Sequence, residues 1–527
     1  MKKLMAFLLL GLLLVPSLSF ATEEEMKAEI EKLKQQVDSL KMSSEKGAWP
    51  TWLRLGGDLR TRYDYLKGTI HDHYLLFPAT SLGLTYADNP NPKNPVFVGG
   101  TSANMVKGYD AKNEALLTNR FRLGLVINPV EDVYATAKLA MYKVWGHQTS
   151  TPVEGAYFAD RAQGTFDGSV THVPEDSVLR VDQADFSIRN ILSQPVWFSI
   201  GRRPSTGGVP TQYRRNEEKV GTGGVMGILV DYAFDGLTLG VAPDISALPG
   251  AYGKICYGKG FDSGYKNLQG NDIKDVSMLG IDVVPLDTDN LRLDFEFNRA
   301  YNIFDNMPDA GVRQNLGDID QYGTTISGKV SSLNLFASGG MSKTKPNKNM
   351  FTFAVDGNGD GDLGDTGTYD NTNAGAGLMY DDNPATPQVD SKDRTGYAYY
   401  LGGRYDVAST GTKIGAEYNW GSKYWITFAP AADDMWTSKL GTRGSVYEVY
   451  IIQSLNRKPV AKRGDVFFRL GYQYYDFKYT GSNSWVGEPK EIDKLTASSA
   501  DFAAGKAQLF QPVDKAYDIY LTAEVVF

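Results

Sequence analysis

The chain has 527 residues, with Lys+Arg 54 against Asp+Glu 62, a formal net charge of −8. An acidic chain of this kind lacks the basic surface a general nucleic-acid binder needs, so nucleic acid is excluded as a partner. One cysteine, Cys256, and four histidines exclude a disulfide framework, a cysteine-built zinc or iron–sulfur centre and covalent haem.

Residues 1–21 read as a secretory signal peptide. Lys2 and Lys3 give the positive start, Leu4 to Val15 the short apolar run, and Ser19-Phe20-Ala21 the small residues before cleavage. No later run reaches the roughly 18 apolar residues of a membrane helix. The candidates left are a periplasmic or secreted protein and an outer-membrane barrel.

Residues 22–47 predict a periplasmic helix with coiled-coil spacing. Met26, Ile30, Leu33, Val37 and Leu40 follow the alternating four-three step of an a/d seam. About three heptads are marginal alone, so the helix either lies solvated or joins copies, a homotrimer being the expected assembly.

From Trp52 the period changes to two, and 48–527 reads as one barrel. In 52–65, Leu53, Leu55, Leu59, Tyr63 and Tyr65 oppose Arg54, Asp58, Arg60, Arg62 and Asp64. In 115–128, Phe121, Leu123 and Leu125 oppose Arg120 and Arg122, and in 133–145, Ala137 and Leu139 flank Lys138. In 290–301, Leu291, Leu293, Phe295 and Phe297 oppose Arg292, Asp294, Glu296 and Asn298. The same alternation fills 411–421 and 464–479. Weaker strands are expected at 178–190, 195–203, 223–233, 236–243, 275–285, 321–330, 333–343, 395–407, 443–454 and 514–527.

Short connections (near 129–132, 191–194, 234–235, 286–289, 331–332, 408–410 and 455–463) alternate with long ones (66–114, 146–177, 204–222, 244–274, 302–320, 344–394, 422–442 and 480–513). Tight periplasmic turns and long outer loops are the layout of a transmembrane antiparallel β-barrel, here of about 16 strands. The chain ends on an alternating strand, with Tyr517, Ile519, Leu521, Ala523, Val525 and Phe527 on the lipid-compatible face. A terminal aromatic on such a strand resembles the assembly signal read by the barrel assembly machinery.

Several stretches carry a resemblance. Leu53-Arg54-Leu55-Gly56-Gly57-Asp58-Leu59-Arg60 resembles the opening strand of bacterial outer-membrane porins with an N-terminal coiled coil. Phe198-Ser199-Ile200-Gly201-Arg202-Arg203-Pro204 resembles their apolar-x-apolar-Gly-Arg strand end. The stretches Gly415–Ser422 and Tyr447–Tyr450 resemble a family of predicted porins that carries only a domain-of-unknown-function label. The resemblance implies a Gram-negative outer-membrane barrel that passes ions and small hydrophilic solutes.

A porin needs no catalytic residues and no cofactor; its chemistry is the charge along a water-filled lumen. Strand parity turns Arg54, Arg60, Arg62, Arg120, Arg122 and Lys138 inward, offset by Asp58 and Asp64. Asp294, Glu296, Glu417 and Glu448 face them, with Arg292, Arg404 and Arg469 interspersed. A basic wall opposite an acidic wall sets a transverse field; the other reading is a paired charge ladder in a plugged barrel. In general porins the third outer loop folds inward. Here that position belongs to 204–222, with Arg214, Arg215, Glu217, Glu218 and Lys219; the longer 66–114 and 344–394 are the alternatives.

Loop 344–394 contains Asp356, Asn358, Asp360, Asp362 and Asp365 at the spacing of a calcium turn, but Gly367 stands where the bidentate Glu belongs. No G-x-S-x-G motif occurs and the four histidines fall in the first two outer loops as exposed polar residues, so no enzyme is expected. A plugged structural or adhesive barrel acting through its outer loops is the alternative to a porin.

Overall fold

A computed structural model describes residues 52–74, 105–146, 177–217, 224–265, 273–304, 314–347, 351–356, 370–376, 391–430, 433–455, 464–496 and 512–527, with a few isolated positions between them. The segments expected to be a signal peptide (1–21), a helix (22–47) and, beyond Asp356, a calcium turn lie outside the described residues.

Sixteen antiparallel strands close on themselves in chain order. They are β1 (Leu53–Ile70), β2 (Tyr109–Val130), β3 (Val133–Val144), β4 (Arg180–Ile188), β5 (Val196–Ser205), β6 (Tyr232–Val241), β7 (Tyr252–Phe261) and β8 (Val276–Asp287). The second half is β9 (Leu291–Phe304), β10 (Asn315–Val330), β11 (Leu333–Pro346), β12 (Thr395–Val407), β13 (Thr412–Gly421), β14 (Gly444–Ser454), β15 (Asp465–Phe477) and β16 (Val513–Val526). Two short ribbons, His73–Tyr74 with Met105–Val106 and Phe351–Asp356 with Asp370–Ala376, stand outside the ring.

The strands form because their two faces meet opposite environments. On β16, Ile519, Leu521 and Val525 are exposed while Asp518, Tyr520 and Thr522 are fully buried. On β9, Leu291 and Phe295 point out while Asp294, Glu296 and Asn298 are buried. This inverts a soluble protein: apolar side chains face out and charges face in. Outward aromatics form a belt near the long-link end. Tyr399 stacks on Trp420 at 5.1 Å, Tyr418 meets Tyr447 at 4.9 Å, and Tyr517 lies 6.1 Å from both Tyr65 and Tyr472. Amphipathic rings in that position suit a membrane–water interface.

Seven short links alternate with eight long ones. Two are two-residue hairpins, and each places a residue at positive φ, Asp132 at 61° and Ser331 at 55°, as the right-handed twist of the flanking strands requires. The ring closes between β1 and β16, with Arg60 opposite Glu524 and Tyr65 opposite Ile519. Its last pair is Phe527, whose N–H donates to the Gly57 carbonyl at 3.0 Å and whose carbonyl accepts from Gly57 N–H at 2.9 Å.

The strand count matches expectation through two offsetting errors. Residues 223–233 are not a strand; apart from the start of β6 they form a buried return leg inside the barrel. The expected turn at 234–235 lies within β6, where Asp235 pairs with both Arg202 and Lys259. The real turn is 242–251, and 252–261, read as loop, is β7. Glycines at 253, 258 and 260 hide the alternation there, although Ile255 and Tyr257 face out and Lys254 is buried within. Cys256 therefore sits on a strand, where Thr238 Oγ1 donates to its Sγ at 3.1 Å.

Glycines let side chains lie flat on the inner wall. A Cβ at Gly415 would stand 2.1 Å from the Tyr450 ring, and one at Gly471 would stand 2.2 Å from the Tyr520 ring. Gly415→Ala is expected to displace Tyr450, whose hydroxyl donates to Glu417 at 3.2 Å. The cost should be about 1–3 kcal/mol, read as a lower urea midpoint of the lipid- or detergent-embedded barrel. An unchanged midpoint would contradict the contact.

Candidate functional site

A ring of sixteen strands ~4.8 Å apart and tilted by ~40° is on the order of 30 Å across, too wide to be filled by its own side chains. Two long links enter it. The first, 206–231, leaves β5 and meets β12 to β15, on the opposite side of the ring. It turns at Gly207 (φ 70°), whose N–H donates to Asp231 at 2.9 Å. At Gly208 the outgoing and returning legs touch, since a Cβ there would lie 1.4 Å from the Val225 carbonyl oxygen. Residues 211–216 then make a helical turn, stapled by Thr211 Oγ1 donating to the Gly208 carbonyl at 2.7 Å.

The wall grips this turn by its carbonyls. Arg404 Nη1 donates to the Tyr213 carbonyl at 2.7 Å, and Arg469 Nη1 to that of Arg214 at 2.6 Å. Arg214 answers with its own side chain, pairing with Glu448 at 2.9 Å and Asp434 at 2.7 Å. The return leg is held by Met226 N–H donating to Glu296 at 2.6 Å and Lys254 to the Gly224 carbonyl at 2.8 Å.

The second link, 422–443, pairs with the first: Phe428 N–H donates to the Leu229 carbonyl and Asp231 N–H to the Phe428 carbonyl. Lys439 bridges Glu417 and Glu448, the latter at 2.6 Å. Asp433 sits beneath the basic wall, with Arg60 at 2.7 Å, Arg120 at 3.6 Å and Arg469 at 3.8 Å. Its carbonyl accepts from Arg62 at 2.8 Å. Burial pushes the Asp433 carboxyl up, but Arg60, Arg120 and Arg469 outweigh it and hold it well below the usual carboxylate range.

Apolar packing locks the straps. Met226, Ile228, Leu229, Trp425, Ile426, Phe428 and Trp485 form one buried cluster with Phe304, Phe336 and Tyr400 of the wall. Arg443 donates to the Ser484 carbonyl at 2.5 Å, and Trp485 to that of Phe304 at 2.7 Å, tying in residues of the last long link.

Apart from Arg54, the charged strand residues singled out in the sequence have buried or half-buried side chains, and several sit in ion pairs. Arg62 pairs with Asp64 at 2.5 Å and Asp518 at 2.9 Å, Arg120 and Arg122 with Asp58 at 3.0 and 2.6 Å, and Lys138 with Asp182 at 2.8 Å. Arg292 pairs with Asp294 at 2.8 Å. Arg54 stands exposed at the start of β1. Across the ring, β1 faces β9 with Asp294 and Glu296, whereas Glu417 and Glu448 on β13 and β14 lie only four and three strands round the ring from β1; the straps meet the basic and the acidic residues each with opposite charge.

The first strap is the link expected by position, though it reaches Asp231 and so includes the segment misread as a strand. The second was not singled out. Its signal was a link holding Trp425, Ile426, Phe428, Met435 and Trp436, more apolar bulk than a solvated loop carries. Of the calcium-turn residues only Asp356 is described, opposite Asp370 in a ribbon; Asn358, Asp360, Asp362 and Asp365 lie outside. His73, expected exposed, is fully buried and hydrogen-bonded through Nδ1 to the His71 carbonyl at 2.7 Å.

Residues 110–527 match the family described as "Protein of unknown function (DUF3373)". No curated protein matches the chain. Among solved structures, in-vitro folded OmpT of Vibrio cholerae, an outer membrane protein in trimer form, is 11% identical over 90% of this chain and 99% of its own, with a TM-score of 0.40. A loop L8 deletion mutant of it is 10% identical with the same coverage and score. Outer-membrane expressed OmpT is 12% identical over 90% and 97%, with a TM-score of 0.37.

Asp433→Asn should take from the buried Arg60 its carboxylate partner and from Arg120 and Arg469 one of theirs. The expected loss is about 3–5 kcal/mol, measured as a lower unfolding midpoint. Wild type should lose the same support in acid: it is complete above the ordinary value of 3.8 and fades as pH falls through the much lower folded one. An Asp433→Asn barrel as stable as wild type at neutral pH would sink the strap-latch assignment.

Proposed function

The chain belongs to the DUF3373 family, and we propose that it works as an outer-membrane porin, passing ions and small hydrophilic solutes passively through a charged, strap-narrowed lumen. The observation that supports this most is the partial solvent exposure of two cations on the basic wall. Beside the straps, the inward side chains of Arg122 and Lys138 remain 23% exposed, while Glu417 and Glu448 are sealed. Solutes therefore have a polar route beside the plug, and the lumen requires no catalytic residue.

The outward apolar face and aromatic belt support an outer-membrane site with lipid as the partner. The outward set Tyr517, Val525 and Phe527 supports delivery by the barrel assembly machinery. A homotrimer joined through the 22–47 helix completes the proposal. One observation favours a second reading, a plugged barrel acting through its outer loops: Trp425, Ile426, Leu229 and Phe428 bury almost completely inside the ring.

Planar-bilayer recording decides between them. A porin gives stable conductance steps, and removal of 424–440 with a short Gly-Ser replacement should raise the step size severalfold. A barrel that is β-rich and heat-modifiable on gels yet silent would overturn the porin reading and favour the plug.

The acidic turn at 356–365 belongs to the proposal as a calcium-binding outer loop. Millimolar calcium should then protect the 344–394 link from protease, and Asp356→Ala with Asp360→Ala should abolish the protection. No calcium effect on wild type would remove the site.

A further inference from the structure

The straps do not fill the lumen evenly, and the asymmetry separates the two charges. On the acidic wall, Glu417 and Glu448 are 0% and 1% exposed, covered by Lys439 and Arg214. On the basic wall Arg60 and Arg62 are as deeply buried, at 1% and 0%, but two cations further along it reach water with their carboxylates behind them, as does Arg215 of the first strap. Lys138 is 23% exposed against 3% for its partner Asp182, and Arg215 is 22% exposed against 6% for Asp231. Arg122 is 23% exposed against 12% for Asp58.

These cations adjoin one another. Arg122 and Arg215 both act electrostatically on Lys138, so the ladder runs from β2 across β3 to the strap.

A row of water-facing cations with their counter-charges set back presents a positive potential to whatever shares the water. Their forked and ammonium donors match the oxygens of carboxylates and phosphates. Resting on the porin reading, we infer that the permeating solutes are small oxyanions, drawn along Arg122, Lys138 and Arg215. The lumen passes anions because the straps hide the acidic wall.

The test is the reversal potential of the full-length protein in a planar bilayer under a KCl gradient. Chloride should be favoured over potassium by about threefold or more at low salt. The preference should shrink near 1 M, where the Debye length is about 3 Å. Lys138→Gln with Arg215→Gln should bring the ratio toward one, and Lys138→Arg should keep it. Because wild type alone reports the sign, a variant that misfolds leaves the question answerable. Stable steps with no preference, or with preference for potassium, overturn the inference and leave the porin reading standing; a silent folded barrel removes both. Adding solute to the chloride current identifies the oxygen donor. Block by both phosphate and succinate supports oxyanions as a class, block by one alone assigns that class, and block by neither overturns the oxyanion assignment.

Discussion

Everything in this molecule depends on a closed ring of backbone hydrogen bonds. A strand facing lipid has no water to satisfy an unpaired N–H or carbonyl, so a sheet with a free edge is not an option. Closure falls to the first and last strands. Asp58 to Ile70 pair with Val513 to Val526, and the reciprocal bonds of Gly57 with Phe527 finish the seam. Gly57 matters here because a Cβ would stand 2.3 Å from the Arg122 carbonyl oxygen and 2.9 Å from the Phe527 ring. The chain terminus thus belongs to the closure itself.

Closure creates a second requirement. Turning the apolar faces outward leaves the polar ones facing a bore too wide to be filled by wall side chains. Charges there need partners, since an unpaired ion among protein atoms is expensive. Short-range pairs along the strands meet part of the need, as with Arg62 between Asp64 and Asp518. The remainder comes from the straps. Asp433 serves Arg60, Arg120 and Arg469 together, and Arg214 and Lys439 serve Glu448. Loop insertion and charge placement are one design: the walls carry excess charge of opposite sign where the straps bring its complement.

How far this was legible in the sequence follows from the reach of each signal. Alternation is local, so strands such as β1, β9 and β16 and the facing of Arg60, Glu296 and Glu448 could be read directly. The class of fold followed from alternating link lengths. Alternation failed where composition blurred it. Glycine at 253, 258 and 260 left β7 with too few side chains to show a period, and the apolar run Val225 to Val230 mimicked a strand while being buried on every side. The calcium turn was legible as a pattern, but its residues beyond Asp356 fall outside the described chain. The latch was the least legible part. No spacing rule links Asp433 to Arg60, because their 2.7 Å contact joins residues far apart in the chain and depends on how a loop folds across the ring.

That long-range dependence explains why the two walls differ in what water meets. A strap covers what it pairs with most tightly. Glu417 and Glu448 each meet a strap cation in close contact and vanish from solvent, while Lys138 takes its carboxylate from the neighbouring strand and keeps its ammonium side free. Exposure therefore follows the cover a strap provides: Arg62, paired along the sheet with Asp64 and Asp518 but lying under the Asp433 carbonyl, is sealed, while Lys138, paired with Asp182 of the next strand, stays wet. On the proposed anion preference, the sign of the lumen's field follows which charges the loops cover rather than the net charge, which is negative for the whole chain.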